Sequence, residues 1–89
     1  MKLIRRTSQF KPDVKRMQKR GKDLSKLKGA LEALVNEVEL PAQLRDHVLV
    51  GQYRGTRECH FEPDWLLIYE LTETEVVLIR TGSHSDLFR

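Results

Sequence analysis

The chain of 89 residues has a single cysteine, Cys59. That excludes an internal disulfide and any zinc framework built on several cysteines, and it suits a reducing compartment. No apolar run approaches the roughly 20 residues a membrane span needs. The first apolar pair, Leu3-Ile4, is cut short by Arg5-Arg6, so neither a secretory signal nor an anchor is expected, and the expected location is cytoplasmic. There is no glycine-rich phosphate cradle, no nucleophile elbow around Ser83 or Ser85, and no paired histidines at helical spacing of the zinc-hydrolase kind. Repeats, low-complexity stretches and linkers are missing, and the length suits one domain, 1–89, with one modest core.

Acidic residues are scarce in the first third. Residues 1–28 hold eleven Lys/Arg against Asp13 and Asp23, a balance of +9, whereas 29–89 hold five basic against eleven acidic residues, a balance of −6. An asymmetry of that size implies a polyanionic partner for the first third, nucleic acid being the commonest.

What is present reads as β-α-α-β-β-β, an α+β fold with a mainly antiparallel sheet and a two-helix hairpin on one face. Lys2 to Arg6 is short and apolar-basic, an edge or second strand. Helix one starts between Ser8 and Pro12, buries Phe10, Val14 and Met17, and stops at Gly21. Asp23 caps helix two, Leu24 to about Val38, whose seam is Leu24, Leu27, Leu31, Leu34 and Val38. Gly29 in mid-helix implies close approach to a neighbour. Residues 39–53 lack a period and form a long loop. Arg54–Glu62 and Trp65–Leu71 are strands joined by the Pro63-Asp64 turn, the second apolar enough for burial on both faces. Glu75–Arg80 is a further strand, and residues 81–89 are expected to fray apart from a docked Phe88.

The chemistry rests on three histidines. His47 lies in the long loop, His60 ends a strand and His84 follows another, so this topology brings them toward one cleft beside Asp64, Trp65 and Phe88. Imidazoles that titrate near neutral pH can remove a proton from one oxygen and deliver one to another. RNA, which carries its own 2′-hydroxyl nucleophile, is a substrate that needs little more. Asp64 would then orient a ring, Arg57 or Arg80 would offset phosphate charge, and Trp65 or Phe88 would stack on a base. Each residue also has an ordinary reading: Asp64 as a turn residue, Trp65 and Phe88 as core. A basic nucleic-acid-binding module without chemistry is the alternative to a nuclease.

Asp46-His47, Arg57-Glu-Cys-His60, Phe61-Glu-Pro-Asp-Trp65, Ile68-Tyr69 and Thr81-Gly-Ser-His84 through Leu87-Phe88 together resemble the YafQ branch of the RelE-type bacterial toxins. The likeness continues through Asp13-Val-Lys, Lys19-Arg20 and Lys26-Leu-Lys, nearly the whole chain. It implies a ribosome-dependent mRNA endonuclease of a type II toxin–antitoxin pair, cutting message in the ribosomal A site by 2′-hydroxyl attack without cofactor or metal. On the matching positions it implies His47, His60, Asp64 and His84 as catalytic, with Arg57, Trp65, Arg80 and Phe88 in support. Lys11, Lys15, Arg16, Lys19, Arg20 and Lys22 would meet 16S rRNA of the 70S ribosome. A cognate antitoxin, acidic and partly disordered when free, would neutralise the protein and would be its only route to operator DNA. The gyrase-poisoning ParE branch lacks this histidine set.

Overall fold

Trp65–Leu71 (β4) is the middle strand of a five-stranded sheet. Across the sheet lie Leu3–Arg6 (β1), Glu75–Gly82 (β5), β4, Arg57–Glu62 (β3) and His47–Val48 (β2). The structure, a computed structural model, describes residues 1–88. All neighbouring strands are antiparallel except β1 and β5, which run parallel with Leu3 opposite Glu75. The mainly antiparallel α+β architecture is as expected, with one strand more: His47–Val48 pairs with Glu58 and Arg57 inside the stretch read as a loop. Two residues are too few for a period to register in sequence.

The apolar run of β4 is buried along Trp65–Tyr69, and its alternate residues divide the core. Trp65, Leu67 and Tyr69 join Phe10, Met17, Leu27 and Leu34 under Phe10–Lys19 (α1) and Leu24–Val35 (α2). Leu66 and Ile68 face the other way, against Leu87, Leu49 and Tyr53. Each fully buried side chain of this size contributes about 1.5–3 kcal/mol. The face opposite the long helices is therefore partly roofed, where an open face was expected.

The helix ends follow local chemistry. α1 begins at Phe10, which leaves Pro12 in the first turn, where its missing N–H forfeits no intrahelical bond. It closes at Gly21, φ +81°, with the Lys22 N–H on the Met17 carbonyl and the Gly21 N–H on that of Gln18. Asp23 caps α2 by accepting from the Ser25 N–H at 3.0 Å. α2 stops at Val35, short of Val38, because Glu37 turns left-handed (φ 58°) and the Val38 N–H bonds back to Ala33. Val38 is exposed and takes no part in the seam. Gly29 does not serve a close approach either, since a Cβ there would meet nothing within 4 Å.

The tail is ordered in the structure through Phe88. His84–Leu87 (α3) is one helical turn closed by a capping box, in which the Asp86 N–H donates to Ser83 Oγ at 3.1 Å and the Ser83 N–H donates to Asp86 Oδ2 at 2.9 Å. A Cβ on Gly82 would lie 2.9 Å from Asp86 Oδ2, so glycine leaves room for the box. Arg20, at the end of α1, then clasps Asp86 with bonds of 2.7 and 3.1 Å.

Candidate active site

Alternation along β3 sends Glu58 and His60 to the face away from α1 and α2, while Cys59 and Phe61 enter the core beneath them. β2 pairs His47 with Glu58, and α3 brings His84 alongside. The result is a row of three imidazoles. The His47 and His60 rings lie 5.9 Å apart and 30° from parallel, and the His60 and His84 rings 6.0 Å apart and 27° from parallel.

Two carboxylates orient the row. Glu58, buried, has one oxygen 3.1 Å from His47 Nε2 and the other 3.3 Å from His60 Nε2. Asp64, exposed, accepts from the His84 backbone N–H at 2.8 Å, and its same oxygen lies 2.7 Å from His84 Nδ1. Those two contacts, the backbone one foremost, hold the Asp64 carboxyl below the ordinary carboxylate range.

The three rings have different partners. His47 has the Arg45 carbonyl 2.7 Å from Nδ1 and a Glu58 oxygen 3.1 Å from Nε2. His84 donates from Nδ1 to Asp64, which leaves the Nε2 lone pair free in the neutral ring. His60 Nε2 lies 3.3 Å from Glu58, and its buried Nδ1 has no partner among the described residues. Phe88 completes the rim, packed edge-on to Tyr53 at 5.4 Å and tilted against His84 at 6.2 Å.

The four residues expected to be catalytic thus meet in one place, as does Phe88. Trp65 and Arg57 do not. Trp65 is fully buried on the helix face, where its Nε1–H donates to Thr81 Oγ1 at 3.0 Å, so it cannot stack on a base. Arg57 lies opposite Tyr69, on the other side of β3 from His60, and donates to Asp46 at 3.2 and 3.3 Å. Asp46 also accepts from the Tyr69 hydroxyl at 2.6 Å, so this trio anchors the start of β2 rather than meeting a phosphate. Arg80, opposite Ile68 on the imidazole side of the sheet and beside Tyr53, donates to the fully buried Asp13 at 2.7 and 2.9 Å, pinning α1 to β5.

Glu58 stands in this site, although the sequence reading left it out of the catalytic set. Its signal was available, because an acid two places before His60 on a strand shares its face. Cys59 is excluded as a nucleophile, since burial pushes its thiol up to about 12. Of the six basic residues assigned to a polyanion, Arg20 is tied to Asp86, Arg16 lies near Asp13 and Asp86, and Lys22 binds Glu62 at 2.8 Å. Lys11, Lys15 and Lys19 make no ion pair among the described residues. Glu58, His60 and His84 also offer three ligand atoms within 4.8 Å of one another, a grouping a metal ion could occupy.

A family model described as a bacterial toxin of type II toxin–antitoxin system, YafQ, matches residues 2–89. The mRNA interferase toxin YafQ of Escherichia coli K12 is 46% identical over 86 residues, which is 96% of this chain and 94% of that protein. Among solved structures, the E. coli DinJ–YafQ toxin–antitoxin complex superposes with a TM-score of 0.91 at 45% identity, covering 99% of this chain and 98% of the other. A metal-bound toxin from Helicobacter pylori has the same TM-score, 0.91, at 39% identity, covering 99% and 100%.

Proposed function

Because this chain belongs to the YafQ family of bacterial type II toxins, we propose that it is an mRNA interferase whose imidazole row cleaves RNA by internal 2′-hydroxyl attack. The observation that carries this reading is the row itself, with His60 stacked between His47 and His84 and each outer ring held by a polar partner. A reaction that takes a proton from one oxygen and gives one to another needs two such rings within reach.

In the proposed reaction a histidine accepts the 2′-hydroxyl proton, the O2′–P bond forms, and the P–O5′ bond breaks as a second histidine protonates the leaving oxygen. The products are a 2′,3′-cyclic phosphate and a 5′-hydroxyl. His84 is placed for one transfer, since Asp64 holds its Nδ1 and the ring is half exposed. The His47–Glu58–His60 side supplies the other proton. Each acid or base role contributes about 10²–10⁴ in rate. Phe88 offers a partly exposed ring for stacking. No atom of Arg57 or Trp65 is needed.

The substrate is message on the ribosome, in the proposed reading, with Lys11, Lys15 and Lys19 facing ribosomal RNA and making binding fall steeply with salt. A cognate antitoxin, acidic and partly disordered when free, neutralises the protein in the cytoplasm, as the DinJ complex of the E. coli relative suggests. A metal ion held by Glu58, His60 and His84 would occupy the nitrogens that proton transfer uses and so would inhibit.

Primer-extension mapping on translated message tests the reading. The unmodified protein is expected to make discrete cuts ending in cyclic phosphate, and His60→Ala and His84→Ala to suppress them. Intact message in the presence of the unmodified protein would refute it.

A further inference from the structure

A groove of about 910 Å³ runs between α2, residues 40–45 and the β3–β4 hairpin. It opens where β2 stops, because β2 pairs only with Arg57 and Glu58 and leaves the rest of that edge of β3 without a strand partner. His60 and His84 belong to its wall, so the groove is continuous with the imidazole row. Leu44 and Phe61 supply apolar lining, and Lys26 and Arg45 supply charge.

Three observations indicate that the space is kept for a ligand. Gly29 faces it from mid-helix, where a Cβ would meet nothing within 4 Å, so no neighbouring element of the fold requires the missing side chain. Arg45 lines it from a left-handed backbone (φ 52°, ψ 46°), and that same residue's carbonyl accepts from His47. The groove's wall and one ring of the row are therefore set by one strained residue. The third is charge: Lys22 and Lys26 share the single carboxylate of Glu62, at 2.8 and 3.1 Å, which leaves one positive charge over. Arg45 adds another, with no ion pair among the described residues. An apolar slot with two uncompensated positive charges, open to the reacting groups, suits a flat base followed by a phosphate.

We propose that this groove seats the nucleotide adjacent to the bond being cut, its base against Leu44 and Phe61 and its outer phosphate between Lys26 and Arg45. The inference rests on the nuclease reading and adds to it a subsite that selects among bases. The groove, rather than the histidines, then determines which sequences are cut.

The test is single-turnover cleavage on programmed ribosomes by Gly29→Ala, Gly29→Leu, Gly29→Phe and Arg45→Gln, with thermal melting in parallel. Filling the groove is expected to lower cleavage progressively, by at least about tenfold at Phe, and to change the distribution of cut sites, while the melting temperature holds or rises. Arg45→Gln is expected to raise the half-saturating concentration and to reduce the salt slope by about one, as for one lost phosphate contact. If Gly29→Phe lowers the melting temperature, the Arg45→Gln arm decides. Unchanged sites and rates in the filled variants and an unchanged salt slope would overturn the subsite while leaving the nuclease standing. Normal cleavage combined with failure of the antitoxin to neutralise Gly29→Phe would also overturn it, by making the groove a protein site. An unmodified protein that leaves message intact defeats the nuclease reading itself, a distinct result.

Discussion

Replacing Glu58 by alanine removes the one carboxylate that orients two of the three rings. Glu58 stands 3.1 Å from His47 Nε2 and 3.3 Å from His60 Nε2, two ion-pair contacts. A hydrogen bond to a charged group contributes about 1.5–3 kcal/mol, the upper bound for each. His47 is half exposed and the distances are long, so the lower figure applies, and the pair amounts to about 3 kcal/mol, or roughly 10²-fold in rate. His84 keeps its own support from Asp64, so residual cleavage should remain. Removing one partner of a buried charged contact can itself cost about 3–5 kcal/mol of stability, so the melting curves are read beside the rates. Because Glu58 acts through His60, Glu58→Ala and His60→Ala should not multiply; the double variant should lose far less than the product of the two. The assay is single-turnover cleavage with melting curves for both single variants and the double. Cleavage by Glu58→Ala within threefold or so of the unmodified protein, or fully multiplicative losses, would refute the idea that one acid positions two rings.

Three further outcomes follow from the geometry. Gly82→Ala should force Asp86 out of its capping box, since the new Cβ would lie 2.9 Å from Oδ2, and cleavage should fall more than the melting temperature as His84 shifts. Arg20 holds the Asp86 carboxyl well below its ordinary value of 3.8, so the stability this pair supplies is complete above that pH and is lost as the pH drops below it. Asp86→Asn should therefore flatten the acid limb of a stability-against-pH curve, and an unchanged limb would show that the pair contributes nothing. Finally, cleavage in the proposed mechanism should survive a strong chelator and be suppressed by added copper or zinc ions, whereas loss on chelation would point to a metal that takes part.

Much of the site was legible because strand residues alternate and an antiparallel sheet returns its ends to one side. That sufficed to bring His47, His60 and His84 together from three separate stretches. The same alternation, applied strictly, would have recruited Glu58 and rejected Arg57, which sits on the opposite side of β3. Ser83-x-x-Asp86 carried the capping box in plain view, so the ordered tail was readable too. The bond from Arg80 to Asp13 was not readable, its partner lying 67 positions away. The β4–β5 register shift between Ile68 and Tyr69 sets Arg80 opposite Ile68, and no local pattern announces such a slip. Nor could composition reveal that Arg20 and Lys22 would find Asp86 and Glu62, partners distant in the chain.

The clasp between Arg20 and Asp86 joins segments 66 positions apart. The parallel registry of β1 with β5 spans a similar distance, Leu3 meeting Glu75. The β3–β4 hairpin, by contrast, closes over a tight turn and needs only neighbours. Contacts between remote segments form slowly, because the intervening loop must first surrender its freedom. His47, Glu58 and His60 therefore belong to the part of the molecule that local pairing can assemble early, and His84 to the part that waits for the two extremities to meet. A half-folded chain would own two rings of the three and lack the one with the free lone pair, so catalytic competence should arrive as the last step of folding.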